Sequence, residues 1–95
     1  MMEVTWTLRA LGNLEAIEDY IAVDSPRAAY QVVMKIWSRT NHLLGENPQI
    51  GRRGRAVGTR ELVVTGTPYF VVYRLSDRIE ILAVVHGARD WPKDA

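Results

Sequence analysis

The chain opens on a short alternation and then changes period. In "EVTWTL" the apolar side chains of Val4, Trp6 and Leu8 fall on one side, the spacing of a half-buried strand. From about residue 8, Ala10, Leu14, Ile17 and Ile21 recur at spacings of four, three and four, which gathers them on one helical face. Glu15, Glu18 and Asp19 fall largely outside that stripe. Gly12 weakens such a helix by about 1 kcal/mol relative to alanine, so packing has to hold it. In "VDSPRAAY" Ser25 offers an N-cap oxygen, and Pro26 suits the first helical position because its missing N–H would be unpaired there. A second helix then runs to about Leu44, with Ala29, Val32, Val33, Ile36 and Leu43 as its core stripe. Gly45 is placed to end it in a left-handed conformation, and Pro48 blocks continuation. With only Asp24 and Ser25 as connection, the two helices form an antiparallel hairpin.

Three strands follow: Glu61–Val64, Tyr69–Leu75 and Arg78–Val85, joined by "TGTP" and "SD", both short enough for hairpins. The polar tail "HGARDWPKDA" carries Pro92 and ends the sheet. The order is β-α-α-β-β-β, without repeats or linker. Helices segregated from a mainly antiparallel sheet make an α+β fold, a helical hairpin packed on the sheet, as one domain over residues 1–95.

Composition narrows the function classes. The chain has 95 residues, of which 47% are hydrophobic and 24% charged, the balance of a globular domain. A formal net charge of +1 excludes a uniformly basic nucleic-acid coat, so any anion binding has to come from local clustering. The absence of cysteine excludes thiol catalysis, disulfides and Cys-based zinc sites. The amino terminus lacks the pattern of a secretory signal, and no stretch approaches the ~18–20 apolar residues of a membrane span. The expectation is a cytoplasmic protein with no membrane association.

One segment is unusual. "GRRGRAVGTREL", residues 51–62, holds Arg52, Arg53, Arg55 and Arg60 among three glycines, with no acid before Glu61. It reads as a flexible, solvated loop or as a grip for phosphate or carboxylate, since guanidinium groups bind oxyanions with forked hydrogen bonds. It lacks the glycine-lysine-serine ending of a P-loop. His42 lies on the polar face of the second helix. His86 leaves the last strand beside Gly87, Arg89 and Asp90, either as a strand-end hydrogen bond or as a general acid–base group. Two histidines 44 positions apart form no metal motif, and no cofactor is implied.

The apolar residues exceed the needs of one core. Tyr30, Met34 and Trp37 form an i, i+4, i+7 row beside the core stripe of the second helix. A two-residue turn at Ser76-Asp77 would place Tyr69, Val71 and Tyr73 on one sheet face with Leu82 and Val84. Phe70, Val72, Ile81 and Ala83 would then take the other face. Both faces are apolar, yet two helices cover only one, which points to a surface that a partner covers.

The order of elements and several stretches resemble the RelE/ParE superfamily of toxin–antitoxin toxins. The residues that carry the resemblance are Trp6, "LEAIEDYIAVDSPRAA" at 14–29, "LLGENPQIGRRGR" at 43–55, "GTRELVV" at 58–64, "PYFVVYRL" at 68–75 and "EILAVVHGARDWP" at 80–92. Within the superfamily, "RELVV" and "HGARDWP" look more like ParE-type segments. The resemblance implies a toxin component of a type II toxin–antitoxin system, ParE-like, which inhibits DNA gyrase without itself being an enzyme. It also implies neutralisation by a cognate antitoxin, with operator DNA met only through that antitoxin. On this reading Arg52, Arg53, Arg55 and Arg60 contact the target. The apolar surplus assigns Tyr30, Met34, Trp37, Tyr69 and Tyr73 to the antitoxin. One alternative is a RelE-like ribosome-dependent mRNA endoribonuclease using Arg60, His86 and Arg89; another is a non-toxic operon co-repressor. Against the nuclease, no tyrosine follows Val85, and the sheet position where such toxins place an arginine is nearer Phe70.

Overall fold

The computed structural model describes residues 1–88. Its elements are β1 (Val4–Trp6), α1 (Leu8–Ala22), α2 (Pro26–Glu46), β2 (Arg52–Arg53), β3 (Arg60–Val63), β4 (Tyr69–Leu75) and β5 (Ile79–His86). They form one five-stranded sheet in the order β1-β5-β4-β3-β2. The pair β1–β5 is parallel and the other three are antiparallel. The expected α+β architecture and element order are present, with one strand added at Arg52–Arg53.

The first alternation is shorter than the sequence suggests. Thr7 ends it: its Oγ1 accepts from the Ala10 N–H at 3.2 Å as N-cap of α1 and donates to the Ile81 carbonyl at 2.8 Å. Leu8 therefore starts a helix and is exposed, rather than continuing the strand face of Val4 and Trp6. At the head of α2, Ser25 Oγ accepts from the Ala28 N–H at 3.1 Å, and Pro26 occupies the first turn as expected. The other end differs from expectation. Gly45 lies inside the helix and does not take positive φ. The Met2 N–H donates to the Gly45 carbonyl at 3.1 Å, so the amino-terminal segment packs on this last turn. Asn47 is the cap residue.

The helix pair lies on one sheet face. Ala10, Leu14, Ile36 and Leu44 bury against Leu62, Val64, Tyr69, Val71, Tyr73, Ile79, Ile81 and Val84. At β5 the helix also supplies hydrogen bonding, because Asn13 Oδ1 accepts from the Val84 N–H at 3.0 Å. That bond satisfies a strand group beyond the end of the three-residue β1.

The β4–β5 register corrects the expected pairing. Leu75 pairs with Ile79, so three residues rather than two form the turn, and a bulge follows between Val72 and Tyr73. Ile81, opposite Tyr73, thus joins Tyr69, Val71 and Val84 beneath the helices. Leu82 is the unpaired bulge residue instead of a member of that face. Phe70, Val72 and Ala83 form a separate buried cluster.

Candidate functional site

The arginine segment is a built hairpin. Arg52 pairs with Glu61 and Arg53 with Arg60, and the Gly54 N–H donates to the Thr59 carbonyl at 2.8 Å. Thr59 closes the turn, its N–H and Oγ1 both donating to the Ala56 carbonyl, at 3.2 and 2.7 Å. Gly58 takes φ +78°, a left-handed conformation that suits glycine. At the base, a Cβ on Gly51 would sit 2.6 Å from Tyr73 Oη and 2.9 Å from the Glu61 carbonyl. Here glycine permits close approach rather than flexibility.

Strand alternation divides the four arginines between two faces. Arg52 lies on the face of Glu61 and Val72, away from the helices. Glu61 is only 2% exposed. Its carboxylate accepts from Arg52 Nη2 at 3.1 Å and from the Arg55 backbone N–H at 3.0 Å, and Arg55 Nε stands 3.8 Å away. The Arg55 guanidinium also lies 5.5 Å from the centre of the Phe70 ring. On the opposite face, Arg60 Nη1 donates to the carbonyls of Gly51 at 2.8 Å and Gln49 at 3.3 Å. Arg53 is exposed and makes no side-chain hydrogen bond or ion pair among the described residues.

Tyr73 anchors this edge from below. It is fully buried; its hydroxyl donates to the Pro48 carbonyl at 2.8 Å and accepts from the Gly51 N–H at 3.0 Å. Burial pushes its pKa above the ordinary tyrosine value, against the lowering effects of the Gly51 N–H and the nearby Arg60 charge. The phenol stays protonated at neutral pH and keeps its donor.

The residues assigned to a partner separate into two groups. Tyr30, Met34 and Trp37 are 61%, 39% and 37% exposed, so the helical row is a surface feature as expected. Trp37 also stacks on Trp6 with ring centres 4.8 Å apart, and Trp6 Nε1 donates to Asn41 Oδ1 at 2.8 Å. Tyr69 and Tyr73, by contrast, lie in the core under the helices. The expectation that they mark an exposed sheet face is not met: theirs is the face that α1 and α2 cover, with Ile81 rather than Leu82 beside them.

The alternative catalytic set is not brought together. Arg60 is level with Tyr73, and His86 with Tyr69, on opposite sides of β4. At strand geometry that separates them by roughly 13 Å along the sheet and roughly 10 Å across it. His86 Nδ1 accepts from the Ala88 N–H at 3.1 Å, and the ring meets Tyr69 edge-on at 5.3 Å. His86 thus makes a hydrogen bond at the strand end. Arg89 lies outside the described residues. His42 is exposed. A cleft of about 1000 Å³ between α1 and the end of β5, lined by Arg9, Asn13, Ile17, Tyr20, Tyr69 and His86 among others, lies at the other end of the sheet from the hairpin. No group of three or more His, Cys, Asp or Glu residues is arranged for a metal ion among the described residues.

Sequence reasoning missed Glu61, the Tyr73 hydroxyl, Asn13 and Asn41. Only Glu61 had a signal: a lone acid directly after a basic run, at the start of an apolar strand.

Residues 4–91 match the family profile described as the ParE toxin of type II toxin–antitoxin system, parDE. The chain belongs to the ParE toxin family. It is 46% identical over 90 residues to toxin Y4kP of Sinorhizobium fredii, covering 95% of this chain and 93% of the relative. It is 40% identical over 90 residues to toxin RelE2 of Caulobacter vibrioides, covering 94% of this chain and 99% of the relative. Among solved structures, a chain of the chromosomal ParDE TA system from P. aeruginosa superposes with a TM-score of 0.80 at 29% identity. That match covers 90% of this chain and 96% of the other. The ParE-family fold thus accounts for the β-α-α-β-β-β order.

Proposed function

We propose that this ParE-family toxin acts in the cytoplasm by binding DNA gyrase, without cleaving RNA, and that a cognate antitoxin neutralises it. The observation that carries this reading is the separation of Arg60 from His86 across β4. General acid–base catalysis needs its groups within hydrogen-bond reach of the same reacting atoms. Here Arg60 is committed to the carbonyls of Gln49 and Gly51, and His86 to a turn at the far end of the sheet. A preformed basic hairpin suits binding better than chemistry. The exposed row of Tyr30, Met34 and Trp37 is the antitoxin-facing surface in this reading, continuous through the Trp6–Trp37 stack with the amino-terminal strand.

The test is induction in a susceptible bacterium alongside assays on purified protein. Stabilised gyrase–DNA cleavage complexes and a DNA-damage response, with messages intact, are expected. Codon-positioned cuts in ribosome-bound message, lost in His86→Gln, would replace gyrase inhibition with endoribonuclease activity. Trp37→Ala should weaken antitoxin binding by more than ~1 kcal/mol. Unchanged affinity with a native circular dichroism spectrum removes Trp37 from that interface.

A further inference from the structure

The hairpin's charge is less available than its sequence suggests. Two of its four arginines turn toward one buried carboxylate, and a third is tied to backbone carbonyls. Its apex shows the reverse. Val57 is 100% exposed in a tightly closed turn, next to the buried Ala56. A fully exposed valine adds no apolar burial to the fold. An apolar tip on a hairpin that carries four arginines against one acid matches a protein interface, where an apolar anchor fills a socket and charged groups form the rim.

Glu61 explains how the tip is held. Its carboxylate bridges the two strands, accepting from the Arg55 main chain and the Arg52 side chain, so the arms cannot splay. We propose that the β2–β3 hairpin is a preformed docking finger for an acidic protein surface, with Val57 as apolar tip, Arg53 as free charge and Glu61 as internal brace. This rests on the reading of the chain as a binding toxin and names the element that meets the target. The partner is protein rather than nucleic acid, because a row of phosphates offers an exposed valine no socket. Glu61 touches no target and acts as a positioning residue through Arg52 and Arg55. Pre-organisation improves affinity by removing the cost of ordering a loop on contact.

Glu61→Gln gives a test with opposite signs. The substitution keeps the side-chain shape and makes the hairpin one unit more positive. If charge alone drove binding, the variant would bind an acidic target more tightly. A brace predicts weaker binding, by about ten-fold or more, with faster hydrogen exchange at the Arg55 amide. Binding to purified gyrase without DNA, cell killing and antitoxin affinity are measured for the wild-type chain, Glu61→Gln and Val57→Ser. Val57→Ser alters only an exposed tip, so it remains informative if the Gln variant fails to fold. The expected result is lost killing and lost gyrase binding in both variants, with antitoxin affinity and circular dichroism retained. Equal or tighter target binding by Glu61→Gln, or full killing by Val57→Ser, overturns the finger. Loss of antitoxin affinity in place of killing assigns the hairpin to the antitoxin and overturns it too, as does stronger binding to duplex DNA than to gyrase. If the wild-type chain kills without binding gyrase, the gyrase reading falls, while the finger is still judged by the killing of its variants. A wild-type chain that neither binds gyrase nor kills sinks both.

Discussion

On the helix-covered face of the sheet, Ile36, Leu44, Ile79 and Ile81 interlock by shape, without a polar atom among their side chains. At the β2–β3 edge the chain is held by one carboxylate, one phenol, an arginine bound to carbonyls and a glycine that leaves room for them. Apolar packing is non-directional, so the first region tolerates small shifts and loses stability in proportion to volume removed. The second depends on direction: each bond fixes a main-chain atom, and a lost partner leaves another group unpaired. Substitutions in the core should therefore show as lowered stability. Those at the edge should show increasingly as altered recognition, the further the site lies from Tyr73.

The sharpest contrast comes from Ile36→Ala, which removes a fully buried side chain and should cost about 2–5 kcal/mol. Thermal unfolding should show the midpoint falling by more than about 10 °C for a domain of this size. A drop of only a degree or two would mean that the helix face is not the main store of stability. Gly51→Ala comes next. Its Cβ meets the Tyr73 ring 2.7 Å away, so the edge must move, costing as much as about 3 kcal/mol. Because the clash sits where the hairpin joins the core, killing should fall along with stability.

Tyr73→Phe keeps the ring and removes only the hydroxyl. It strands the Gly51 N–H and Pro48 carbonyl, for a loss of roughly 1–2 kcal/mol. It also changes the alkaline limb of stability. A phenol whose folded pKa is raised contributes stability that is fully present below the unfolded value of about 10 and is lost as pH rises through the folded one. Denaturation at pH 9 to 11.5 should show a loss in the wild-type chain that is reduced in Tyr73→Phe; parallel curves would mean that the phenol is not the responsible group. The smallest stability effect is expected from Arg53→Glu, within about 0.5 kcal/mol, since the side chain is solvated and unpartnered among the described residues. Target binding should nonetheless weaken, and added salt should weaken wild-type binding in the same direction. Reversing Arg52, Arg53 and Arg55 together is not equivalent, because two of the new carboxylates would face Glu61.

Much of the fold was readable from periodicity and punctuation. Ser25-Pro26 fixed the head of α2 because the cap is local chemistry, and the stripes of both helices followed from spacing alone. The misses share a different origin. Gly45 read as a helix end because nothing local announces that Met2 will bond its carbonyl. Tyr69 and Tyr73 read as an open face because strand alternation groups side chains without saying which group the helices cover, while the bulge at Leu82 only exchanges Leu82 for Ile81 beside them. The arginine run read as flexible because glycine signals freedom and tight approach with the same letter. Glu61, the residue that distinguishes these cases, lies just outside the run and bonds across it.

The parallel pairing of β1 with β5 has a consequence for the order of events during synthesis. Thr5 Oγ1 donates to the Ile79 carbonyl, 74 positions later, and β1 has no other strand neighbour among the described residues. Until residues 79–86 have left the ribosome, the first strand has nothing to pair with, and the helical hairpin has only part of its floor. Such non-local contacts close late, after the loop entropy between the partners has been overcome. A growing chain therefore carries its helices and arginines before it can assemble the sheet that orients them. The completed shape arrives with the last strand, leaving an interval in translation when a partner can meet a still-unfinished toxin.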